Sequence, residues 1–157
     1  MKTLKLTFES EVAASADEVW SWATSVSGLR AEMHPILKMT FPKGKTSILD
    51  VQVVPGKPLF RSWILLFGVL PIDRSDLTIL EVEQGRFVEQ SPMVSMRLWR
   101  HERVIIPTGA GALVTDMLEF SPRFAAALVG LFVKRFFEHR HSVLRYVFRH
   151  RKTTEHV

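Results

Sequence analysis

No cysteine occurs in the 157-residue chain. That absence excludes disulfides, thiol nucleophiles and cysteine-based metal sites together. It fits a reducing compartment, and a cytoplasmic location is the expectation. Long apolar runs are also missing. Trp63–Ile72 (WILLFGVLPI) and Phe124–Val133 (FAAALVGLFV) are each ten residues long, against about 20 for a spanning helix. The first contains Gly68 and Pro71, which read as a bend. Both runs read as buried rather than transmembrane. The opening MKTLKLTFES has no apolar h-region, so no signal peptide is expected. Neither HExxH nor GxSxG occurs; His101-Glu102 begins like the former but continues Arg103, Val104, Ile105. Gly109-x-Gly111 sits in a hairpin rather than between strand and helix, so it is no phosphate loop. No cofactor is expected.

What is present divides into strands and two kinds of helix. Residues 3–12 alternate, with Leu4, Leu6 and Phe8 on one face. Ser15 followed three residues later by Glu18 is a capping box. Val19, Trp22, Ala23 and Val26 follow at helical spacing, and Gly28 reads as the stop. A second short helix is expected over 29–34, ended by Pro35. Strands are then expected at 47–54, 59–67, 77–83, 86–90, 93–106 and 113–120, with Gln84-Gly85 and 107–111 as turns and 66–76 as a bent connection. Ser121-Pro122 is expected to open a long helix running to about Arg149. Strands in a run with helices kept apart predict an α+β fold. Its form is a curved antiparallel sheet of about six to seven strands wrapped around the long C-terminal helix, with two short helices after the first strand. Residues 1–150 read as one domain and 151–157 as a disordered basic tail.

The local motifs point the same way. Leu66–Pro71 (LFG-LP), Leu98–Val104 (LWRHERV), the turn PTGAG, Leu113–Arg123 (LVTDMLEFSPR) and Arg140-His141 stand in order over nearly the whole chain. In that order and spacing the chain resembles the START-like or Bet v 1-like helix-grip superfamily (SRPBCC), specifically a bacterial ligand-binding branch. It departs at the turn, where Gly111-Ala112 replaces the family's frequent Gly-Thr. The resemblance implies a hydrophobic cavity between sheet and long helix. It does not fix a ligand, since the superfamily includes binders, lipid carriers, cyclases and hydroxylase components, and fold alone is not function.

Charge is concentrated at one end. The chain carries a net +5, and residues 134–152 hold seven Lys/Arg against Glu138 alone. Such an end can meet nucleic acid or an anionic membrane surface, or simply complement the helix dipole. No nucleic-acid partner is expected; weak contact with a membrane surface stays open.

On a helical projection Phe124, Leu128, Phe132, Phe136, Val143, Tyr146 and Val147 share one sector. Lys134, Glu138, His141, Ser142, Arg145 and Arg149 take the other. His139 projects near Phe132, on the apolar side. Phe132, Phe136 and His139 are therefore candidates to line the cavity, or to be plain core. His139 and His141 lie about 200° apart on a helix and cannot share an ion, so no metal is expected. On the hairpin, Arg97, Trp99, His101 and Arg103 share one face, and on the return strand Val114, Asp116, Leu118 and Phe120 share a face. If paired numbers sum to about 217, His101 faces Asp116 and Trp99 faces Leu118. A register one residue longer sends Asp116 to the far side. His101 with Asp116 is the candidate general base, or a cross-strand anchor. Trp63 and Phe67 are candidate pocket walls. Arg97 and Arg61, if inward, would need a carboxylate from Asp116, Glu119 or a ligand. The leading expectation is binding of a small hydrophobic or amphipathic molecule. The alternatives are a cyclase- or dehydratase-type enzyme and a basic-end interaction module.

Overall fold

The computed structural model describes residues 2–154, with side chains to Arg149. Seven strands form one antiparallel sheet in the order β1-β7-β6-β5-β4-β3-β2. They are β1 (Leu4–Val12), β2 (Leu37–Met39), β3 (Pro58–Leu66), β4 (Leu70–Glu83), β5 (Arg86–Gln90), β6 (Met96–Pro107) and β7 (Ala112–Pro122). Two short helices, α1 (Ala16–Thr24) and α2 (Val26–Met33), follow β1. The long helix α3 spans Ala126–Thr154, about 43 Å at 1.5 Å per residue. It packs on β1, β7 and α2. The fold is α+β: a curled half-barrel sheet gripping its C-terminal helix. Of the expected tail, 155–157 lie outside the described residues.

Local chemistry explains the boundaries. The Ser15 hydroxyl accepts from the Glu18 amide and opens α1. Gly28 does not stop the helix pair; the break falls at Ser25, whose hydroxyl accepts from the Gly28 amide and caps α2. A Cβ at position 28 would collide with the Trp22 carbonyl oxygen, so glycine here permits close approach of two helices. The expected strand at 47–54 is instead a 3-10 turn at Ile48–Asp50. Asp50 accepts from the amides of Thr46 and Ser47, and such local bonds compete with a ladder. The connection after Leu66 is a tight hairpin: Leu66 already pairs with Leu70, and β4 runs on for 14 residues. Ser121 and Pro122 end β7, paired with Leu98 and Met96, so α3 begins four residues later than the Ser-Pro signal suggested.

Two apolar clusters fill the grip. One gathers Val12, Val19, Trp20, Phe87, Ile105, Val114, Leu144 and Phe148. The other gathers Met33, Met96, Leu118, Phe120, Val133, Phe136 and Phe137. His101 touches both, with ring centroids 5.4 Å from Phe87 and 5.2 Å from Phe137.

Candidate functional site: an apolar cavity on a buried ionic cluster

Between sheet and α3 lies a cavity of about 490 Å³, within the range of small-molecule sites. Met33, Met39, Met96, Trp99, Val129, Phe132 and Phe136 supply much of its wall. Its polar points are few: Asp73, Ser75, Glu89, Ser95, His101 and Arg140. Exposed apolar side chains stand nearby, among them Phe67, Val69 and Leu70 on the β3–β4 hairpin and Phe124 and Leu128 at the start of α3.

Beneath one end of the cavity sits a cluster of buried charges. Asp116 accepts from His101 Nε2 (2.7 Å) and Arg103 Nε (2.8 Å) at Oδ1. At Oδ2 it accepts from Arg103 Nη2 (2.7 Å) and His141 Nε2 (2.8 Å). Arg103 also grips Glu32 through Nη1 and Nη2, at 3.1 and 2.9 Å. Glu32 accepts further bonds from Arg140 Nε (3.1 Å) and Trp22 Nε1 (3.0 Å). A buried charge survives only when paired in this way.

The bonding fixes protonation. Burial pushes Asp116 up, but Arg103 and then His101 outweigh it and hold the carboxyl well below its usual range. Asp116 is therefore ionised and can only accept, so both histidines carry hydrogen on Nε2. Arg145 donates to Ser10 Oγ at 2.7 Å, and the same Oγ lies 2.8 Å from His141 Nδ1. Burial pushes His101 down, but the Asp116 charge and hydrogen bond, with Glu89 adding to them, leave it raised above the ordinary imidazole value. Glu32 is raised by burial and lowered more by Arg103 and Arg140.

A pH dependence follows. His101 faces Asp116 on β7, Glu89 on β5, Arg103 on its own strand and Arg140 on α3. Its raised value means protonation stabilises the fold below about pH 6.5, and that contribution is lost as pH rises through the folded-state value. Glu32 and Asp116, both lowered, contribute above about pH 4 and lose that contribution in acid. Thermal melts across pH 5–9 are expected to show stability declining on the alkaline side of the His101 titration. His101→Gln is expected to flatten that decline.

The structure sorts the candidates read from sequence. Trp99, His101, Phe132 and Phe136 line the cavity. Leu118 and Phe120 are buried just behind it, in the apolar cluster that includes Phe136. Trp63 and Phe67 do not line it. Trp63 pairs with Arg74 on the outer face and is 48% exposed, because the register puts Ile64 inside. Phe67 sits on the hairpin tip, 68% exposed with φ 53°. Arg97 is exposed because a bulge between Met96 and Leu98 turns it outward. Arg61 pairs with Asp76 at the surface. His139 is half-buried and bonds the His34 carbonyl from Nε2 at 2.6 Å, away from the cavity lining.

Two further differences concern geometry. Paired numbers in the β6–β7 hairpin sum to 219, so Arg103 stands opposite Asp116 and His101 reaches it diagonally. The inward face is the expected one. On α3 the buried stripe is Val133, Phe136, Phe137, Arg140, His141, Leu144 and Phe148, while Leu128 and Tyr146, and Phe124 just before the helix, are exposed. Apolarity alone misplaced the stripe, because Arg140 and His141 are buried through their partners. Glu32, Arg103 and Arg140 were the functional-site residues not singled out. The inward parity of Arg103 was the available signal; Glu32 left none in its short helix.

Among the described residues, no group of three or more His, Asp or Glu is arranged to hold a metal ion. No helix there is long and apolar enough to cross a membrane.

A curled sheet closed by one long helix over an apolar cavity is the helix-grip architecture, and solved structures share it. A START superfamily protein from Mycobacterium smegmatis superposes with a TM-score of 0.63 at 13% identity, over 94% of this chain and 97% of that one. The di-domain ARO/CYC StfQ from the steffimycin biosynthetic pathway gives 0.64 at 9% identity, over 96% of this chain and 52% of that one. Ara h 8.0201 gives 0.60 at 11% identity, over 94% of this chain and 98% of that one. These likenesses show the fold: START/Bet v 1-like. No curated protein matches the sequence significantly. Residues 10–148 match the family described as Domain of unknown function (DUF8410), and the chain belongs to that family.

Proposed function

We propose that the protein binds a small, largely apolar molecule in the cavity between the sheet and α3. The observation that carries this reading is Arg140. It is 4% exposed, lines a largely apolar cavity, and spends only Nε on a protein partner, Glu32. Its Nη nitrogens make no hydrogen bond to any described residue. Those donors are not among the fully buried atoms; they open onto the cavity, where an oxygen of a bound molecule can accept from them. Phe137 and Phe136 hold the guanidinium in place, its carbon 4.9 and 6.0 Å from their ring centroids. The ligand-binding superfamily whose fold the chain shares supports the same reading.

Titration with the neutral dye Nile red tests it. Saturable binding at one site per chain is expected, competed by apolar ketones. A protein that gives no saturable signal contradicts the reading.

A second reading, general acid–base catalysis by His101 with Asp116 in the same cavity, is favoured by the 2.7 Å contact between them. Asp116 is shared with Arg103 and His141, which is the arrangement of an anchor. The two readings separate on His101→Ala. Binding alone predicts dye affinity within about threefold of wild type, a change of about 0.6 kcal/mol. Catalysis predicts loss of turnover with binding kept.

A further inference from the structure

The same cavity has a second polar point without a protein partner. Ser75 lines the wall, is 2% exposed, and its Oγ is the one buried side-chain polar atom without a hydrogen-bond partner among the described residues. Its neighbours are occupied elsewhere. Asp73 accepts from the amides of Arg74 and Ser95 and from the Ser95 hydroxyl. Ser62, which pairs with Ser75 across β3–β4, turns its hydroxyl to the Trp63 carbonyl. Ser91 donates to Glu89. A buried hydroxyl left without a partner costs about 1–3 kcal/mol, so a native chain that keeps one has a use for it.

The two points are well separated. Ile79, Glu89 and His101 form one cross-strand row. Ser75 lies four residues further along β4 from that row and two strands away from His101. With strands about 4.8 Å apart and a rise of about 3.3 Å per residue, this is on the order of 10 Å or more even on a curled sheet. Arg140 and His101 mark one end of the cavity, and Ser75 marks the other.

Charge around the Arg140 end limits what can sit there. Glu32, Glu89 and Asp116 stand against Arg103, Arg140 and His101. His101 Nδ1 is 3.8 Å from Glu89 Oε2. Three carboxylates share two permanent cations, Arg103 and Arg140. An added carboxylate would make four against those two cations, an excess of buried negative charge. A carbonyl oxygen accepts from the free Nη donors without adding to that excess.

Resting on the cavity reading above, we infer that the occupant is a neutral, rigid apolar molecule with two oxygen functions, a carbonyl held by Arg140 and a second carbonyl or hydroxyl at Ser75. The structure thus selects against fatty acids and other simple carboxylates.

Displacement of Nile red by three probes of similar shape tests this: androst-4-ene-3,17-dione, 5α-androstan-17-one and 5β-cholanic acid. They carry two carbonyls, one carbonyl and one carboxylate. The dione is expected to bind about 3- to 10-fold tighter than the mono-ketone, the worth of one hydrogen bond, with the acid weaker than both. Ser75→Ala is expected to reduce dione affinity to the mono-ketone level and leave the mono-ketone unchanged. Its thermal midpoint is expected to equal or exceed wild type, because no protein bond is removed. Preference for the acid, or a dione-to-mono-ketone ratio that survives Ser75→Ala, overturns the inference while leaving the cavity reading in place. Nile red that does not bind at all, or whose binding survives a bulky side chain in the cavity wall, removes both.

Discussion

Asp116→Ala is expected to cost about 3–5 kcal/mol of stability, the range for removing one partner from a buried ion pair. The reason is the number of groups left behind. Asp116 accepts four hydrogen bonds, two from Arg103 and one each from His101 and His141. Arg103 would keep Glu32, but Nε would have no acceptor, and the guanidinium is fully buried. Glu32 would then face both Arg103 and Arg140 alone. Asp116→Asn should be only partly milder, because its amide nitrogen is a donor set among donors. Urea denaturation with circular dichroism measures the difference. A loss below about 1 kcal/mol, the scale of an exposed pair, would contradict the buried-cluster account.

Val129→Trp is expected to abolish ligand uptake while leaving a folded protein. Val129 is half-buried on α3 and lines the cavity, so a larger side chain has open volume to enter. Overpacking a filled core typically costs about 1–3 kcal/mol; occupying an existing void should cost less. Nile red affinity is expected to fall at least tenfold, with the thermal midpoint within a few degrees of wild type. Retained affinity with the cavity blocked would place dye binding elsewhere, for instance on the exposed apolar side chains near its mouth.

The parts of the fold legible in sequence were those written in periodicity and caps. Alternation in β1, β5, β6 and β7, the Ser15 cap and the Gln84-Gly85 turn each have a local cause. The strand expected at 47–54 failed because Ser47 and Asp50 satisfy backbone amides in a turn, a contest that apolar spacing does not register. The site was harder for a related reason. Trp99, His101, Phe132 and Phe136 were found through face and spacing. Arg140 and His141 look like outward residues on any helix wheel scored by apolarity. They are buried because Glu32, 108 residues from Arg140, and Asp116 accept from them. Trp63 and Arg97 were placed by strand parity, which the local register and a bulge decide. Long-range pairing of charges and register both depend on the assembled sheet.

The basic end also looks different in three dimensions. Arg140 belongs to the core, and Arg145 donates to Ser10. The side chains of Arg151 and Lys152 lie outside the described residues. Of the cationic stretch, Arg140 is thus withdrawn from the surface and lies at the cavity instead.

Native mass spectrometry of the protein as expressed tests the central claim most directly, since it reads the cavity's contents without a chosen probe. The account predicts a bound neutral mass in wild type that is absent from Val129→Trp prepared alongside it. A wild-type spectrum showing only the bare chain, with no uptake when androst-4-ene-3,17-dione is added, would contradict it.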